Sequence, residues 1–339
     1  MEFNEWLVGG GVLVGAVFGI LAQRFRFCMV SGISNWQLVG DYRQLMAFAA
    51  ALLVAILGTQ YLELSGTVAI ETSSYRNSQL DWFGVIVGGL IFGVGGTLAG
   101  GCATRTVIKS GEGNLQSVVA LMSFLVFAAI TQFMFLEPVR LGLTDATAIT
   151  LVGDAGLASV LGLPDWLPVL AVAISISAFI YLYKDRGISK SMLIAGAVIG
   201  ALVIVSWYIT GVLAQDEFDP TKPSAVTMSG PLARVGYLML SGKVPALSFA
   251  VSFVIASFVF ALLSSLLTRE FRITPVPNGA LMTTIAGGAL MGIGGIMAYG
   301  CNVGQGLTGI STLSIESMFA VISMFAGTYL TVRWMEKRS

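Results

Sequence analysis

The sequence predicts an all-α polytopic membrane protein with about nine transmembrane helices. Three observations predict it: the overall hydropathy, nine apolar runs of spanning length, and a glycine-rich motif that occurs twice. Of the 339 residues, 56% are hydrophobic and 11% are charged, and the mean hydropathy is +0.86. A chain of this composition has too few polar side chains to cover a water-facing surface, which argues against an ordinary soluble domain.

The apolar runs give the predicted spans. Each is long enough for a helix to cross a hydrocarbon layer of about 30 Å. The nine runs lie near residues 6–23, 44–64, 82–100, 115–136, 166–183, 191–214, 246–267, 279–299 and 316–334. No small-residue cleavage site follows the first run, so we expect a true span there rather than a signal peptide.

The basic residues predict the orientation. With the N-terminus outside, 13 of the 18 lysines and arginines fall on the cytoplasmic side, as the positive-inside rule requires. They are Arg24, Arg26, Arg43, Arg105, Lys109, Lys184, Arg186, Lys190, Arg269, Arg272, Arg333, Lys337 and Arg338. We therefore expect the N-terminus outside and the C-terminus in the cytoplasm.

One glycine motif that ends in cysteine is written twice. Seven positions match with a constant offset of 199, so composition alone does not explain them, even with 41 glycines. The first copy has Gly88, Gly89, Gly93, Gly95, Gly96, Gly101 and Cys102; the second has Gly287, Gly288, Gly292, Gly294, Gly295, Gly300 and Cys301. The predicted topology places the two cysteines at opposite membrane faces, so the copies run in opposite directions.

This motif predicts two inverted halves, about residues 1–137 and 191–335, joined by a linking helix at about 166–183. A shorter match, Gly15 to Gly19 with Gly196 to Gly200, supports pairing the first span with the sixth. Inverted halves are an architecture of transporters, with the substrate held where the halves meet. The whole chain is expected to form one transmembrane domain.

Polar, glycine-bearing stretches interrupt the apolar pattern at four places. They follow Cys102 and Cys301, surround Cys28 at residues 24–32, and lie between Pro231 and Gly242. Irregular backbone survives at membrane depth only where it lines a cavity or is buried in protein. We expect a re-entrant segment at each place, with peptide N–H groups at short helix N-termini that suit an anion.

The chain has three cysteines, and each lies in one of these interruptions. Buried cysteine is often a small packing residue, but that role does not explain why Cys28, Cys102 and Cys301 all mark interruptions. A thiolate metal site usually gathers its ligands at close spacing, and the chain has neither such spacing nor any histidine. A disulfide is not expected, because Cys28 has no evident mate. Three separated, protonated thiols instead suggest stations for a small sulfur-containing anion.

Neighbouring residues complete the candidate path. Gly101 and Gly300 precede the repeated cysteines, where a backbone without side chains can approach a ligand. Asn302 and Gln305 follow Cys301 in a polar run without charge. Arginines near the other two cysteines satisfy the orientation rule, but we expect them also to interact with a bound anion; they are Arg26 and Arg105.

The two segments that end in Gly-Cys, together with Arg26-Phe27-Cys28, resemble the YeeE/YedE family of bacterial inner-membrane proteins over nearly the whole chain. The resemblance implies thiosulfate uptake through a narrow path that carries Cys28, Cys102 and Cys301. It also implies an inner-membrane location and a small cytoplasmic sulfur-carrier partner of the TusA type. Some relatives are linked to selenium compounds or other sulfur species. The resemblance therefore defines the class of chemistry better than the identity of the transported compound.

The leading hypothesis is transport without chemistry: a thiosulfate-like anion meets Cys301 and the amides near Asn302 and Gln305, then passes Cys102 and Cys28 inward. The sequence gives no sign of an energy source, because it has neither a nucleotide-binding loop nor a conspicuous carboxylate in a spanning helix. We expect no cofactor, no metal and no nucleic-acid partner, and lipid around the apolar helices. The alternative is a membrane sulfurtransferase in which an activated cysteine becomes a persulfide.

Overall fold

The chain folds as an all-α membrane protein in the computed structural model, which describes residues 5–151, 153–164, 166–183, 189–215, 221–242 and 247–337. Fourteen α-helices are present in these residues. The strands among them form one short antiparallel pair, β1 (Gln79–Leu80) with β2 (Ile149–Thr150). Three of the basic residues predicted to be cytoplasmic lie outside the described ranges: Lys184, Arg186 and Arg338.

Nine apolar helices in the described residues match the nine predicted spans. They are α1 (Glu5–Phe25), α3 (Arg43–Leu64), α4 (Trp82–Leu98), α6 (Leu115–Phe133), α9 (Trp166–Leu182), α10 (Lys190–Tyr208), α12 (Phe249–Leu267), α13 (Leu281–Met297) and α14 (Ile315–Glu336). Within the described ranges, seven helical stretches are long and apolar enough to cross a membrane, and α9 and α13 are shorter apolar helices. The prediction of a polytopic membrane protein is confirmed.

Short helices occupy the four predicted interruptions. They are α2 (Met29–Val39), α5 (Ala103–Gly111), α11 (Ser229–Ser241) and a π-helical turn at Gly304–Gly309. Two further short helices, α7 (Glu137–Thr147) and α8 (Leu157–Leu161), were not predicted. They lie in the α6–α9 connection. We call the face that carries this connection and the α3–α4 connection the outer face, after the predicted orientation.

Helices from the beginning of the chain pack on helices from its end. α1 packs on α12 and α3 packs on α10, while α4 packs on α14 and α6 packs on α13. Glycines permit close approach: a methyl group at Gly15 would meet the carbonyl of Phe253, and one at Gly196 would meet the carbonyl of Ala47. Small residues at such contacts let helix backbones approach closely in lipid.

The helices that carry the repeated motif, α4 and α13, pack directly against each other. A methyl group at Gly95 would meet the backbone of Gly287, and one at Gly287 would meet the backbone of Gly95. Gly88 and Gly294 form a second reciprocal contact of the same kind. These four motif glycines therefore allow the backbones of the two helices to lie in contact.

A buried ion-pair cluster fastens the outer face. The guanidinium of Arg76, in the α3–α4 connection, pairs with the carboxylates of Glu63 and Asp154. Its Nε also donates to the carbonyl of Thr312, 2.8 Å away. One buried arginine thus joins the end of α3, the segment after β2, and the end of the π-helical turn.

Candidate functional site

The backbone is interrupted in the same way after α4 and after α13. The N–H of Gly101 donates to the carbonyl of Gly96, and the N–H of Gly300 donates to the carbonyl of Gly295, each over 2.9 Å. One residue before these glycines the backbone has a positive φ, 78° at Gly100 and 54° at Tyr299. A left-handed residue ends each helix and turns the chain toward the repeated cysteine.

Two short helices begin at contacting cysteines. Cys28 is the N-cap of α2, Cys102 is the N-cap of α5, and neither cap makes a side-chain hydrogen bond to its helix. Their Sγ atoms lie 3.2 Å apart in the protein interior. The N-termini of the two helices therefore lie close together, and helix N-termini are favourable places for an anion.

This contact corrects the expectation that Cys28 has no mate. It also corrects the idea of three separated stations, because Cys28 and Cys102 form a single pair although they are 74 residues apart in sequence. Both cysteines are free thiols. The pairing depends on how α2 packs near α4 and α5, which the local sequence does not reveal.

Cys301 lies in the interruption after α13, next to Tyr299 of the outer cavity. The N–H of Gln305 donates to the carbonyl of Cys301 over 2.7 Å. The side chain of Gln305 donates to the carbonyl of Ala298 and accepts from the hydroxyl of Ser317. Asn302 is buried, and its side-chain oxygen has no hydrogen-bond partner. The amide of Gln305 is therefore held in place, while Asn302 retains an unused polar atom.

The two glycines before the repeated cysteines face neighbouring side chains. A methyl group at Gly101 would meet Cβ and Cγ of Arg105, and one at Gly300 would meet Cγ of Gln305. Packing against these residues accounts for both glycines. Close approach to a ligand is not needed to explain them, so their assignment to the path stays a prediction.

The two candidate arginines differ in their surroundings. Arg105 is buried and its guanidinium pairs with the carboxylate of Glu112, 3.0 Å away. Arg26 is exposed, with a positive φ of 51°, and lines a cavity of about 300 Å³ at the face opposite the outer face. Among the described residues no carboxylate pairs with Arg26. The charge of Arg26 is therefore available to an anion, whereas that of Arg105 is already matched.

Other basic groups line the cavity beside Arg26. Arg24 pairs with Glu270 and Arg43 pairs with Asp41. The hydrogen bond from Arg43 lowers the pKa of the Asp41 carboxyl below its usual value. Since both neighbours are matched by acids, Arg26 gives this cavity its net positive charge, two residues before Cys28.

Two connected hollows open on the outer face. The outer cavity, about 190 Å³, is lined by Tyr75, Thr227, Tyr299, Gln305, Glu316 and Ser317 among others. The vestibule, about 530 Å³, is lined by residues including Glu71, Asn77, Asp154, Lys222 and Tyr299. Tyr299 belongs to both walls. It therefore lies where the vestibule meets the outer cavity, which Gln305 also lines.

Sequence reasoning missed three residues of the outer cavity. Burial raises the pKa of the Tyr75 phenol far above its usual value, so Tyr75 is a neutral hydrogen-bonding group. Tyr299 has its hydroxyl 3.3 Å from the carboxylate of Asp81. Glu316 is buried in the first turn of α14, so the expectation of no conspicuous carboxylate in a spanning helix is wrong. The signal for Tyr299 was available: it occupies the position of Gly100 in the first motif.

The three cysteine thiols are enclosed by protein. Cys28, Cys102 and Cys301 are 3%, 2% and 1% exposed, so solvent reaches none of the three thiols. Within the described ranges, no three residues among histidine, cysteine, aspartate and glutamate gather in a way that could hold a metal ion. What the site offers instead is free thiols, helix N-termini and neutral hydrogen-bonding side chains.

In the described part of the chain, nine apolar helices, four interrupted segments, buried thiols and hollows at both faces define a multi-pass membrane protein, and this architecture is typical of transporters. A family model described as "Sulphur transport" matches residues 24–330, and the chain belongs to this family, the YeeE/YedE family. The resemblance predicted from the cysteine motifs is confirmed.

Relatives match over almost the full length. The chain is 27% identical to thiosulfate transporter TsuA of Spirochaeta thermophila, over 97% of this chain and 99% of the relative. It is 24% identical to thiosulfate transporter TsuA of Escherichia coli, over 97% of this chain and 94% of the relative. A shorter similarity, 29% over 33% of this chain and 26% of the relative, links it to the probable transporter YedE of Escherichia coli.

Proposed function

We propose that the protein takes up thiosulfate, or a closely related sulfur-containing anion, into the cytoplasm. The observation that carries the proposal is that α2 and α5 begin at two contacting cysteines, which brings two helix N-termini together in the protein interior. The names of the two full-length relatives support the choice of thiosulfate. The anion enters at the vestibule, passes Tyr299 and Cys301, and then reaches the Cys28–Cys102 pair.

In this proposal the thiols stay protonated. A dianion is repelled by a thiolate, whereas a neutral S–H donates weakly to sulfur and the peptide N–H groups bind the oxygens. Asn302 and Gln305 act beside Cys301, while Arg26 receives the anion at the inner face and Arg105 contributes positive potential despite its pairing with Glu112. Weak sites in series allow the anion to be handed on rather than retained.

We also propose that residues 1–137 and 191–335 are two inverted halves linked by α9. Three kinds of observation support it: the common offset of 199, the same hydrogen bonds in both interruptions, and the reciprocal packing of α1 on α12 and α3 on α10. The path then follows the interface of the halves, as in other transporters built this way. The proposed orientation has the N-terminus outside in a bacterial inner membrane, and a TusA-like carrier receives sulfur in the cytoplasm.

Uptake of labelled thiosulfate into proteoliposomes tests the proposal. Cys102→Ala and Cys301→Ala are each expected to abolish uptake while the purified protein keeps its melting temperature. Ser175→Ala, on the exposed side of α9, is the control and is expected to transport normally. Wild-type rates in both cysteine variants contradict the role of the thiols. Competition with sulfate, selenate and other sulfur oxyanions then identifies the cargo.

The Cys28–Cys102 contact also supports a second candidate, a sulfurtransferase. In that reaction a cysteine thiolate attacks the sulfane sulfur of thiosulfate, the S–S bond breaks, and sulfite leaves with the electron pair, so that a cysteine persulfide remains. Intact mass after exposure to thiosulfate separates the candidates. A gain of one sulfur atom supports the transferase, and an unchanged mass together with uptake supports transport alone.

A further inference from the structure

Glu316 is a buried carboxyl group inside the outer cavity. It is the second residue of α14, is 7% exposed, and lines the cavity with Tyr75, Gln305 and Ser317. In the described part of the chain no donor hydrogen-bonds to its carboxyl group and no cation pairs with it. An ionised carboxylate in such a place lacks the partners that a buried charge requires.

The surrounding elements supply no compensating charge. α14 packs on α4, α2 and the π-helical turn, and none of these has a charged side chain within its described bounds. Asp81, at the start of α4, is the charged residue that acts on Glu316, and it is also an acid. The neighbouring loops contribute Tyr75, Tyr299 and Cys301, which carry no positive charge, and Lys222, which lines the vestibule and not the outer cavity. Arg140 of α7 interacts with Tyr299, and Arg76 is already paired with Glu63 and Asp154.

In α6, the position that corresponds to Glu316 of α14 carries no charge. α6 begins after Asn114 and α14 begins after Ser314, so Gln116 and Glu316 are both second residues of their helices. The amide of Gln116 donates to the hydroxyl of Thr284, 3.1 Å away. A neutral amide of the same size is therefore compatible with this position in the fold, which separates the charge of Glu316 from its packing.

We propose that Glu316 is a proton-binding site that controls entry of the anion into the outer cavity. This rests on the proposed transport of a thiosulfate-like dianion. A dianion beside an ionised Glu316 is strongly repelled, because charges in a poorly solvated cavity are weakly screened. Once the carboxylate takes a proton from water in the vestibule, the repulsion ends and its O–H can donate to an oxygen of the anion. Uptake therefore depends on the proton concentration on the outer face.

The test is the pH profile of thiosulfate uptake into proteoliposomes, with the external pH varied and the internal pH held constant. Thiosulfate stays a dianion from mildly acidic to mildly alkaline solution, so a pH dependence reports the protein. The wild-type initial rate is expected to fall as the external pH rises, by up to about tenfold per pH unit on the alkaline side. Glu316→Gln is expected to transport at a rate that hardly varies with pH.

Glu5→Gln is the matched control. Glu5 lies in the first turn of α1 and is exposed, so its loss is expected to leave the wild-type pH profile unchanged. Glu316→Met is a second neutral variant of similar volume, in case the amide does not fold. It is expected to share the flat profile.

The outcomes distinguish this inference from the proposed function. No wild-type uptake at any pH overturns the transport proposal and this inference with it. Wild-type uptake with a flat profile overturns the proton site alone. So does a neutral Glu316 variant that keeps the wild-type slope.

Discussion

The Sγ atoms of Cys28 and Cys102 lie 3.2 Å apart, at the point where α2 and α5 both begin. The contact joins two interruptions that come from separate parts of the chain. It makes the inner part of the proposed path a two-thiol site rather than a row of single thiols. This contact and three others like it can each be tested by experiment, in addition to the pH profile of uptake.

Mild oxidation with copper phenanthroline is expected to join Cys28 and Cys102 in a disulfide within one chain, because their Sγ atoms already lie in contact, 3.2 Å apart. Mass spectrometry of the peptides detects the bond, and uptake is expected to stop until a reductant is added. Cys301→Ala is the control and is expected to form the same bond. Persistence of both free thiols after oxidation of the folded protein contradicts the contact.

Tyr299→Gly is expected to expose Cys301 to a charged thiol reagent and to raise its labelling several-fold, because Tyr299 lines both the vestibule and the outer cavity and we expect its ring to block passage between them. Glycine accepts the positive φ of 54° without the steric cost of about 1 kcal/mol, which helps the variant to fold. Arg269→Gly, at an exposed residue with φ 58°, is the control. Equal labelling of Cys301 in both variants argues against the barrier.

Gly95→Ala is expected to destabilise the protein by about 1–3 kcal/mol, because the added methyl group meets the backbone of α13. Thermal unfolding in detergent measures the effect as a lower melting temperature. Gly9→Ala is the control: a methyl group there has nothing within 4 Å. Alanine also favours a helix over glycine, so Gly9→Ala is expected to be neutral or stabilising. An unchanged melting temperature in Gly95→Ala means that α4 and α13 separate easily.

Arg76→Met is expected to destabilise the fold by about 3 kcal/mol, since it leaves Glu63 and Asp154 without their buried cation. Arg24→Met removes an exposed ion pair with Glu270 and is expected to cost less than about 1 kcal/mol. The difference in melting temperature between the two variants is the measurement. Similar values in both show that the Arg76 cluster is too well solvated to matter.

The spans were predictable because their signal is local. A run of apolar residues must be long enough to cross the bilayer. The helix from Phe249 to Leu267 begins three residues after the predicted span of 246–267 and ends at the same residue. The interruptions at Cys102 and Cys301 were predictable for a similar reason, since each copy of the motif marks its own helix end. α7 and the β1–β2 pair gave no such signal, because short polar elements are stabilised by neighbours distant in sequence.

The site was predictable in its residue types but not in its arrangement. The contact between Cys28 and Cys102 and the contact between Tyr299 and Asp81 depend on tertiary packing, the latter across 218 residues. Glu316 stands at the edge of an apolar run, where a carboxylate normally reaches water. Its burial results from Tyr75 and Gln305, which come from other segments and close around it.

α1 packs on α12, α3 packs on α10 and α4 packs on α13, so that helices from the two ends of the chain are interleaved. A rigid-body rotation of residues 1–137 against residues 191–335 would have to break the backbone contacts of all these helix pairs. Under the proposed transport function, we therefore expect the long helices to stay in place. The movements that admit the anion are expected to be local, at Tyr299 and at the cysteine-bearing interruptions.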